Sequence, residues 1–154
     1  MNNLTWISSI QHLDSFISVA KDSSKLRTTK LPKVRALFSF VPIVYFSRGI
    51  LNVEERSILY NANKPQNGFF KGYYNLQNDL HFEIDFNEIT SIERYKHPNS
   101  INDYFNTNWI RIKTSKEILN GDFLVAQHGT GPTMKQVNEG SDRIYKEILS
   151  RVNR

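Results

Sequence analysis

The sequence predicts an α+β domain, mainly β, in which a bent antiparallel sheet or partly open barrel is closed by a C-terminal amphipathic helix. Apolar and polar residues alternate over residues 80–86 and again over 109–113, as in strands with one buried face. Apolar residues then recur at helical spacing over residues 144–152. Ten Phe and seven Tyr in 154 residues favour sheets over a helical bundle. These observations predict about six or seven short strands and one closing helix.

The N-terminal region fits a helix over residues 4–20, because its apolar residues recur at steps of three and four. The polar, basic stretch 21–35 reads as a connection. We therefore divide the chain into residues 1–35, an N-terminal amphipathic helix with a basic linker, and residues 36–154, the sheet domain. The helix either packs back on the sheet domain or projects from it as a separate arm.

The strands are placed by β-rich runs that are separated by turn-forming residues. A polar tip at residues 54–56 and a loop at 61–68 separate early strands, Asn87 and Glu88 form a corner, and Asn120-Gly121 predicts a hairpin. In the strand at 109–113, Ile110 and Ile112 are expected to face inward. The predicted strands are 37–48, 69–75, 80–86, 89–95, 109–113 and 123–128. Residues 50–53, after a bend at Gly49, and residues 57–61 could be short strands around the polar tip. The closing helix is predicted over 141–153, with an earlier start near Met134 left open.

Four stretches resemble bacterial pleckstrin-homology-like domains of the PH and GRAM type. They are GILNVEERSILYN at 49–61, FEIDFNEITSIE at 82–93, WIRIK at 109–113 and the hairpin to FLVAQ at 123–127. The resemblance covers residues 37–152 and implies a domain that binds phosphoinositides, peptides or protein partners. Lipid-binding members use basic residues in the loop joining the first two strands. That loop here, NVEER at 52–56, carries two acids and one base, which counts against a phosphoinositide site there.

The net charge of +5 is concentrated near the N-terminus, where residues 1–35 hold six basic side chains against two acidic ones. Such a segment favours nucleic acid or an anionic membrane surface, and a solvated linker is the alternative. The six side chains, each a candidate anion or lipid contact, are Lys21, Lys25, Arg27, Lys30, Lys33 and Arg35.

A second candidate anion or lipid contact is a basic aromatic patch on neighbouring strands or loops. It could hold phosphate by charge-assisted hydrogen bonds or stack a base, and an exposed strand face balanced by nearby acids is the alternative. Trp109, Arg111 and Lys113 are expected to point outward from their strand. The patch consists of Arg94, Lys96, Trp109, Arg111 and Lys113.

Other candidate sites are weaker. His81, Glu83 and Asp85 leave one strand face and could hold a divalent metal, but a solvated polar face is the simpler interpretation. Residues 129–132, GTGP, could bring backbone N–H groups to an anion, but a turn before a helix is the simpler interpretation. No Cys and no nucleophile motif is present, so we expect no catalytic residues, no metal and no cofactor.

The sequence therefore predicts a non-catalytic binding module, with a protein partner as the first choice. Peripheral association with anionic membrane lipid through the N-terminal helix and basic segment is the alternative. Nucleic-acid binding is a third and less favoured interpretation, because no recognised motif supports it. A homo-oligomer is compatible with the sequence. The lack of Cys and of a signal peptide suggests a cytoplasmic protein, with peripheral membrane attachment as the variant.

Overall fold

The structure, a computed structural model, describes residues 2–14, 46–63, 79–97, 107–127 and 134–152. Within this part of the chain, seven strands form one antiparallel sheet and a helix spans Met134–Val152. A short helical segment at residues 10–14 follows the first strand. The strands are β1 (Asn2–Ser8), β2 (Ser47–Val53), β3 (Ser57–Ala62), β4 (His81–Asp85), β5 (Ile89–Tyr95), β6 (Trp109–Thr114) and β7 (Asp122–Gln127).

The strand order is β4-β3-β2-β1-β7-β6-β5, and every neighbouring pair is antiparallel. The two end strands, β4 and β5, are consecutive in the chain and are joined only by the 3-10 turn Phe86–Glu88. The sheet must therefore curl strongly, so that its two ends meet at this corner. The predicted corner at Asn87 and Glu88 and the mainly β fold with a C-terminal helix are confirmed.

Hydrogen bonds from the start of the β6–β7 connection hold the corner in place. The Glu88 carbonyl accepts hydrogen bonds from the Ser115 N–H at 3.0 Å and from Thr114 Oγ1 at 2.8 Å. Lys116 Nζ donates to the Glu83 carbonyl of β4 at 2.7 Å and lies 3.5 Å from the Glu88 carboxylate. Because these bonds join β4, the corner and the end of β6, they tie the two ends of the sheet together.

The β6–β7 connection is the predicted hairpin, and its backbone conformation explains why a glycine occupies residue 121. Leu119, Asn120 and Gly121 all have positive φ, at 51°, 61° and 73°. Asn and Gly are the residues that tolerate this left-handed region best, which is why the Asn-Gly pair marks the turn. Leu119 adopts it with a partly buried side chain that packs against the main core.

The main core lies inside the curl of the sheet and is completed by the helix. Ile144 and Ile148 of the helix are 1% and 0% exposed and share one cluster with the inward side chains of the sheet. As predicted, that cluster includes Phe82, Ile84, Ile110 and Ile112. The helix begins at Met134, the earlier of the two starts left open, and its predicted apolar stripe faces the sheet.

Two contacts beside the stripe seat the helix on β7. The Gln127 N–H donates to Ser141 Oγ at 2.9 Å, so a helix side chain satisfies a backbone donor at the end of the strand. Gly140 packs so closely here that a Cβ on it would lie 2.7 Å from Gln127 Cγ. The lack of a side chain at residue 140 therefore allows the close approach.

The predicted N-terminal helix over residues 4–20 is wrong in its first part. Asn2–Ser8 is strand β1, which pairs with both β2 and β7 at the centre of the sheet. Thr5 and Ser8 are fully buried despite being polar, and Thr5 Oγ1 donates to the Gly49 carbonyl at 3.2 Å. Thr5 shares the core-facing side of β1 with Ile7, whereas the apolar Leu4 and Trp6 are partly buried on the other side. A polar residue thus occupies a core position, and the sequence of β1 lacks the apolar-inward, polar-outward alternation of a half-exposed strand. The predicted division at residue 35 also separates β1 from the sheet that it belongs to.

A second, smaller core lies on the outer face of the sheet. Leu13, from the helical segment 10–14, packs with Trp109, Leu124 and Ala126, and all four are at most 2% exposed. Partly buried Trp6, Ile10 and Tyr95 surround them. This cluster covers the outside of β6 and β7 near β1.

Several predictions lie outside the described residues. They are the basic stretch 21–35, most of the strand predicted at 37–48, the strand at 69–75, most of the loop at 61–68 and the GTGP turn at 129–132. The strands predicted at 57–61, 80–86, 89–95, 109–113 and 123–128 are confirmed with small shifts in their ends. The strand predicted at 50–53 is part of β2, and the predicted bend at Gly49 is wrong. Gly49 lies inside β2, where a Cβ would collide with the Asn61 carbonyl oxygen, so the glycine allows close strand packing. Within the described ranges, no helix is long and apolar enough to cross a membrane.

Candidate binding surface

The predicted basic aromatic patch is divided between the two faces of the sheet, and its outer half is neutralised. Arg111 donates from Nε and Nη2 to the two oxygens of Asp122, at 3.0 and 2.7 Å. Its Nη1 lies 3.6 Å from Glu93. The bidentate geometry is the strong form of a charge-assisted pair. With 22% of its side chain exposed, Arg111 has little capacity left for an external anion.

These contacts and the burial around them shift the pKa values of Arg111 and of two neighbouring groups. The hydrogen bond to Asp122 raises the pKa of Arg111 above its usual value, and the same bond lowers the pKa of Asp122. Burial raises the pKa of the Tyr95 phenol, and the carboxylate of Asp14 adds to this shift. The outer face of β5–β7 therefore holds matched charges at neutral pH, rather than a basic patch.

Trp109 lies on the outer face of the sheet as predicted, but the prediction that it belongs to an exposed patch is wrong. The Trp109 side chain projects from the outer face of β6, but Leu13 and its neighbours cover this side chain, and Trp109 is only 2% exposed. It therefore cannot stack a base or insert into a membrane in this structure. The same segment is anchored to the end of β5, where Asp14 Oδ1 lies 2.6 Å from Nε2 of the buried His97.

Arg94 lies on the opposite side of β5 from Glu93 and reaches the helix. Its Nε and Nη2 both donate to Asp142 Oδ1, at 3.0 and 2.5 Å. Its guanidinium carbon lies 4.3 Å from the centre of the Tyr145 ring, a cation–π contact. Lys146 Nζ lies 3.0 Å from the other oxygen, Asp142 Oδ2. The bonds from Lys146 and then Arg94 lower the pKa of Asp142, which stays ionised.

We use the term groove for the region between β5 and the helix that these contacts line. Asp142, Tyr145 and Leu149 are spaced along one flank of the helix, since residues three and four apart lie on the same side. Tyr145 and Leu149 are half-buried, as is Ile92 of β5, which packs against the main core. The groove thus has a partly apolar floor and a charged end at Arg94, Asp142 and Lys146.

The side of this groove away from the helix is the end of the sheet. β5 is the last strand in the order, and no other strand within the described residues pairs with its outer edge. In an antiparallel pair, alternate backbone N–H and C=O groups of an end strand point away from its only neighbour. The groove therefore combines side chains from the helix with a strand edge that no described strand pairs with.

The other two patch residues, Lys96 and Lys113, form no ion pair within the described residues. Lys96 is exposed just after β5, and Lys113 is half-buried on the outer face of β6. The six basic side chains of residues 21–35 lie outside the described residues. No described structure therefore joins Lys96 or Lys113 to the basic stretch.

The metal candidate on β4 forms ordinary surface contacts. His81, Glu83 and Asp85 are exposed on one strand face, as the alternation predicts. Glu83 Oε1 accepts a hydrogen bond from Ser57 Oγ at 3.0 Å, and His81 Nδ1 lies 2.5 Å from Asn61 Oδ1. In the part of the chain that the structure describes, no three His, Asp or Glu side chains are grouped to hold a metal.

Sequence reasoning missed the helix side of the groove. The predicted patch included Arg94 but not its partners Asp142, Tyr145 and Lys146. The i, i+4 spacing of Asp142 and Lys146 signals an ion pair on a helix. The contact between Arg94 and Asp142 spans 48 residues of sequence, and no local pattern encodes it.

Comparisons with known proteins give no function. No family model matches the chain, and no curated protein matches it. One solved structure that it resembles is the crystal structure of the C-terminal domain of an unknown protein from Leishmania infantum. The likeness has a TM-score of 0.43 at 17% sequence identity and covers 70% of this chain and 71% of the other.

Proposed function

We propose that this chain is a non-catalytic, pleckstrin-homology-like module that binds an extended segment of a protein partner along β5. The single observation that carries the proposal is the outer edge of β5, which no described strand covers and which runs beside a partly apolar helix flank. An extended peptide can add to such an edge as a further strand, with backbone hydrogen bonds for affinity and side-chain pockets for specificity.

The pleckstrin-homology-like part of the proposal is supported by chain order. Strands β1 to β4 follow one another across one half of the sheet, β5 to β7 follow one another across the other half, and the helix comes last. Six of these strands, β2 to β7, and the helix lie within residues 37–152, where the resemblance implies short strands that end in one amphipathic helix. The non-catalytic part is supported by the sequence, which lacks Cys and any recognised nucleophile motif.

A protein partner is favoured over lipid or nucleic acid by the distribution of charge. Of the predicted patch, Arg111 is saturated by Asp122 and Glu93, and Trp109 is buried. Binding to an anionic surface gains on the order of 1 kcal/mol for each basic residue that approaches it, so several unpaired cations are needed together. The described outer face of β5–β7 offers matched pairs instead. A peptide strand needs fewer charges, because backbone groups supply much of its binding.

The experiment is an unbiased peptide selection followed by mapping of the bound site. A phage-displayed library of random peptides is selected on the purified chain, and hydrogen exchange of the chain is measured with and without each recovered peptide. We expect slower exchange in residues 89–95 and along the 142–149 flank of the helix. The central strand β7 is the internal control, since its backbone is paired on both sides and its exchange should not change.

The proposal is overturned if recovered peptides slow exchange elsewhere but not in β5, or if no peptide is recovered. Vesicles with and without an anionic lipid provide the comparison with membrane binding. Co-sedimentation with the anionic vesicles, without any peptide binding at β5, would favour peripheral lipid association instead.

A further inference from the structure

The charged end of the groove holds two cations and one carboxylate. Arg94 donates twice to one oxygen of Asp142, and Lys146 lies beside the other oxygen. Because one carboxylate serves two cations, the cluster keeps a net positive charge at neutral pH. It is open to solvent, since 57% of the Arg94 side chain and 68% of the Lys146 side chain are exposed.

Arg94 is held in a position suited to a second carboxylate. The Tyr145 ring under its guanidinium limits its orientation, and Nη1 has no partner among the described residues. A planar guanidinium that is already ordered loses less entropy when it binds another planar anion. Lys146 adds a mobile ammonium group close to the same point.

Neighbouring side chains add to the excess of positive charge at this end of the groove. Lys96, which follows Arg94 at an even spacing along the end of β5, is exposed and has no ion pair within the described residues. Glu93, the acidic residue next to Arg94, lies on the other face and faces Arg111. Glu139, one turn before Asp142 on the helix, is exposed, and the ion pairs of Arg94 and Lys146 within the described residues are with Asp142. The groove end therefore carries excess positive charge beside a strand edge.

We propose that the segment bound along β5 carries an acidic side chain, Asp or Glu, whose carboxylate binds between Arg94 and Lys146. This inference rests on the proposed function of the groove and adds its specificity. The incoming carboxylate takes the unused donors of Arg94 and shares Lys146 with Asp142. Two cations and two carboxylates then form a neutral, mutually bonded cluster.

The test measures peptide affinity for two variants of the chain, one of which should weaken binding and the other of which should tighten it. The probe is a peptide recovered from the random library that contains Asp or Glu, together with the same peptide carrying Asn or Gln there. Arg94→Gln should weaken binding of the acidic peptide about tenfold or more, since it removes the charge-assisted bonds. Asp142→Asn should tighten it several-fold, because the competing carboxylate is removed. Denaturant melts check that both variants remain folded.

Arg143→Gln is the matched control, because Arg143 is an exposed helix residue without an ion pair among the described residues. It removes the same charge and should change the affinity by less than about twofold. The amide form of the peptide should bind the native chain and the Arg94→Gln variant about equally. A purely structural role for the Arg94–Asp142 contact would instead make both groove variants weaker.

Three results overturn the inference. If peptides protect β5 but show no enrichment of Asp or Glu, the specificity is wrong while the proposed function stands. If Arg94→Gln and Asp142→Asn shift affinity in the same direction, the contact is structural only. If no recovered peptide protects β5, or if only anionic vesicles depend on Arg94, both the inference and the proposed function fail.

Discussion

Arg94 and Arg111 lie on neighbouring strands, on opposite faces of the sheet, and differ in how completely they are paired. Arg111 binds both oxygens of Asp122 and also faces Glu93, whereas Arg94 shares Asp142 with a second cation. One arginine therefore stabilises the outer face, and the other leaves positive charge in a groove. Sequence alone placed both in one patch, and only their carboxylate partners distinguish them.

The Arg111–Asp122 pair predicts a specific dependence of stability on pH. Because the folded-state pKa of Asp122 is lowered by Arg111, the ionised pair stabilises the fold above the usual aspartate pKa of about 4. That contribution is lost as the pH falls from about 4 through the lower folded-state pKa. Asp122→Asn should therefore be less stable than the native chain at pH 7, and the difference should shrink toward pH 2.

Urea melts at several pH values measure this difference. Glu93→Gln is the control, since Glu93 is 3.6 Å from Arg111 and its side chain is 52% exposed, so its effect should be smaller at every pH. A difference between Asp122→Asn and the native chain that stays constant from pH 7 to pH 2 would contradict the account.

The closing helix should contribute a large part of the stability. Ile148 is fully buried in the main core, so Ile148→Ala should lower the free energy of unfolding by about 2–5 kcal/mol. Arg143→Ala, on the exposed face, should change it by less than about 0.5 kcal/mol. Denaturant melts of the two variants decide the point. Equal effects would mean that the helix does not complete the core.

The second core predicts a spectroscopic change as well as a loss of stability. Leu13 is 2% exposed, so Leu13→Ala should cost about 2–5 kcal/mol. Both tryptophans of the chain, Trp6 and Trp109, lie in this cluster. Folded Leu13→Ala should therefore show red-shifted tryptophan fluorescence, because water gains access to the indoles. Unchanged emission and stability would show that residues 10–14 do not cover the outer face.

Gly140 provides a test of how the helix is seated. A Cβ at residue 140 would lie 2.7 Å from Gln127 Cγ, so Gly140→Ala should destabilise the fold by about 1–3 kcal/mol. This is the reverse of intrinsic helix propensity, which favours Ala over Gly by about 1 kcal/mol. In the Gln127→Ala background the same substitution should cost less, as thermal and urea melts of the double-mutant cycle would show. Additive effects would contradict the close contact.

The strands were predictable where one face is buried and the other is solvated. Residues 81–85 follow that alternation, and the Asn-Gly turn marks the hairpin between β6 and β7. β1 was not predictable in the same way, because the polar Thr5 is buried on its core-facing side and the apolar Leu4 and Trp6 lie on the other side. Leu4, Ile7, Ile10 and Leu13 fit a helical period, although the first two belong to a strand and only the last two to the short helical segment 10–14. Pairing with β2 and β7 decides the conformation.

The candidate site was predictable only in part, for a related reason. Arg94 could be recognised as a basic residue on a strand, and Asp142 with Lys146 as an ion pair on a helix. Their meeting depends on how the helix crosses the sheet, which is set by Ile144, Ile148 and the contact of Gly140 with Gln127. Tertiary packing of this kind is not encoded in local spacing.

The most direct test of the central claim is a nuclear magnetic resonance measurement of a recovered peptide bound to the isotopically labelled chain. If the peptide adds to the sheet, cross-strand proton contacts will join its backbone to residues 89–95. Its acidic side chain will then lie near Arg94 and Lys146. Contacts between the peptide backbone and any other strand, with none to β5, would contradict the account.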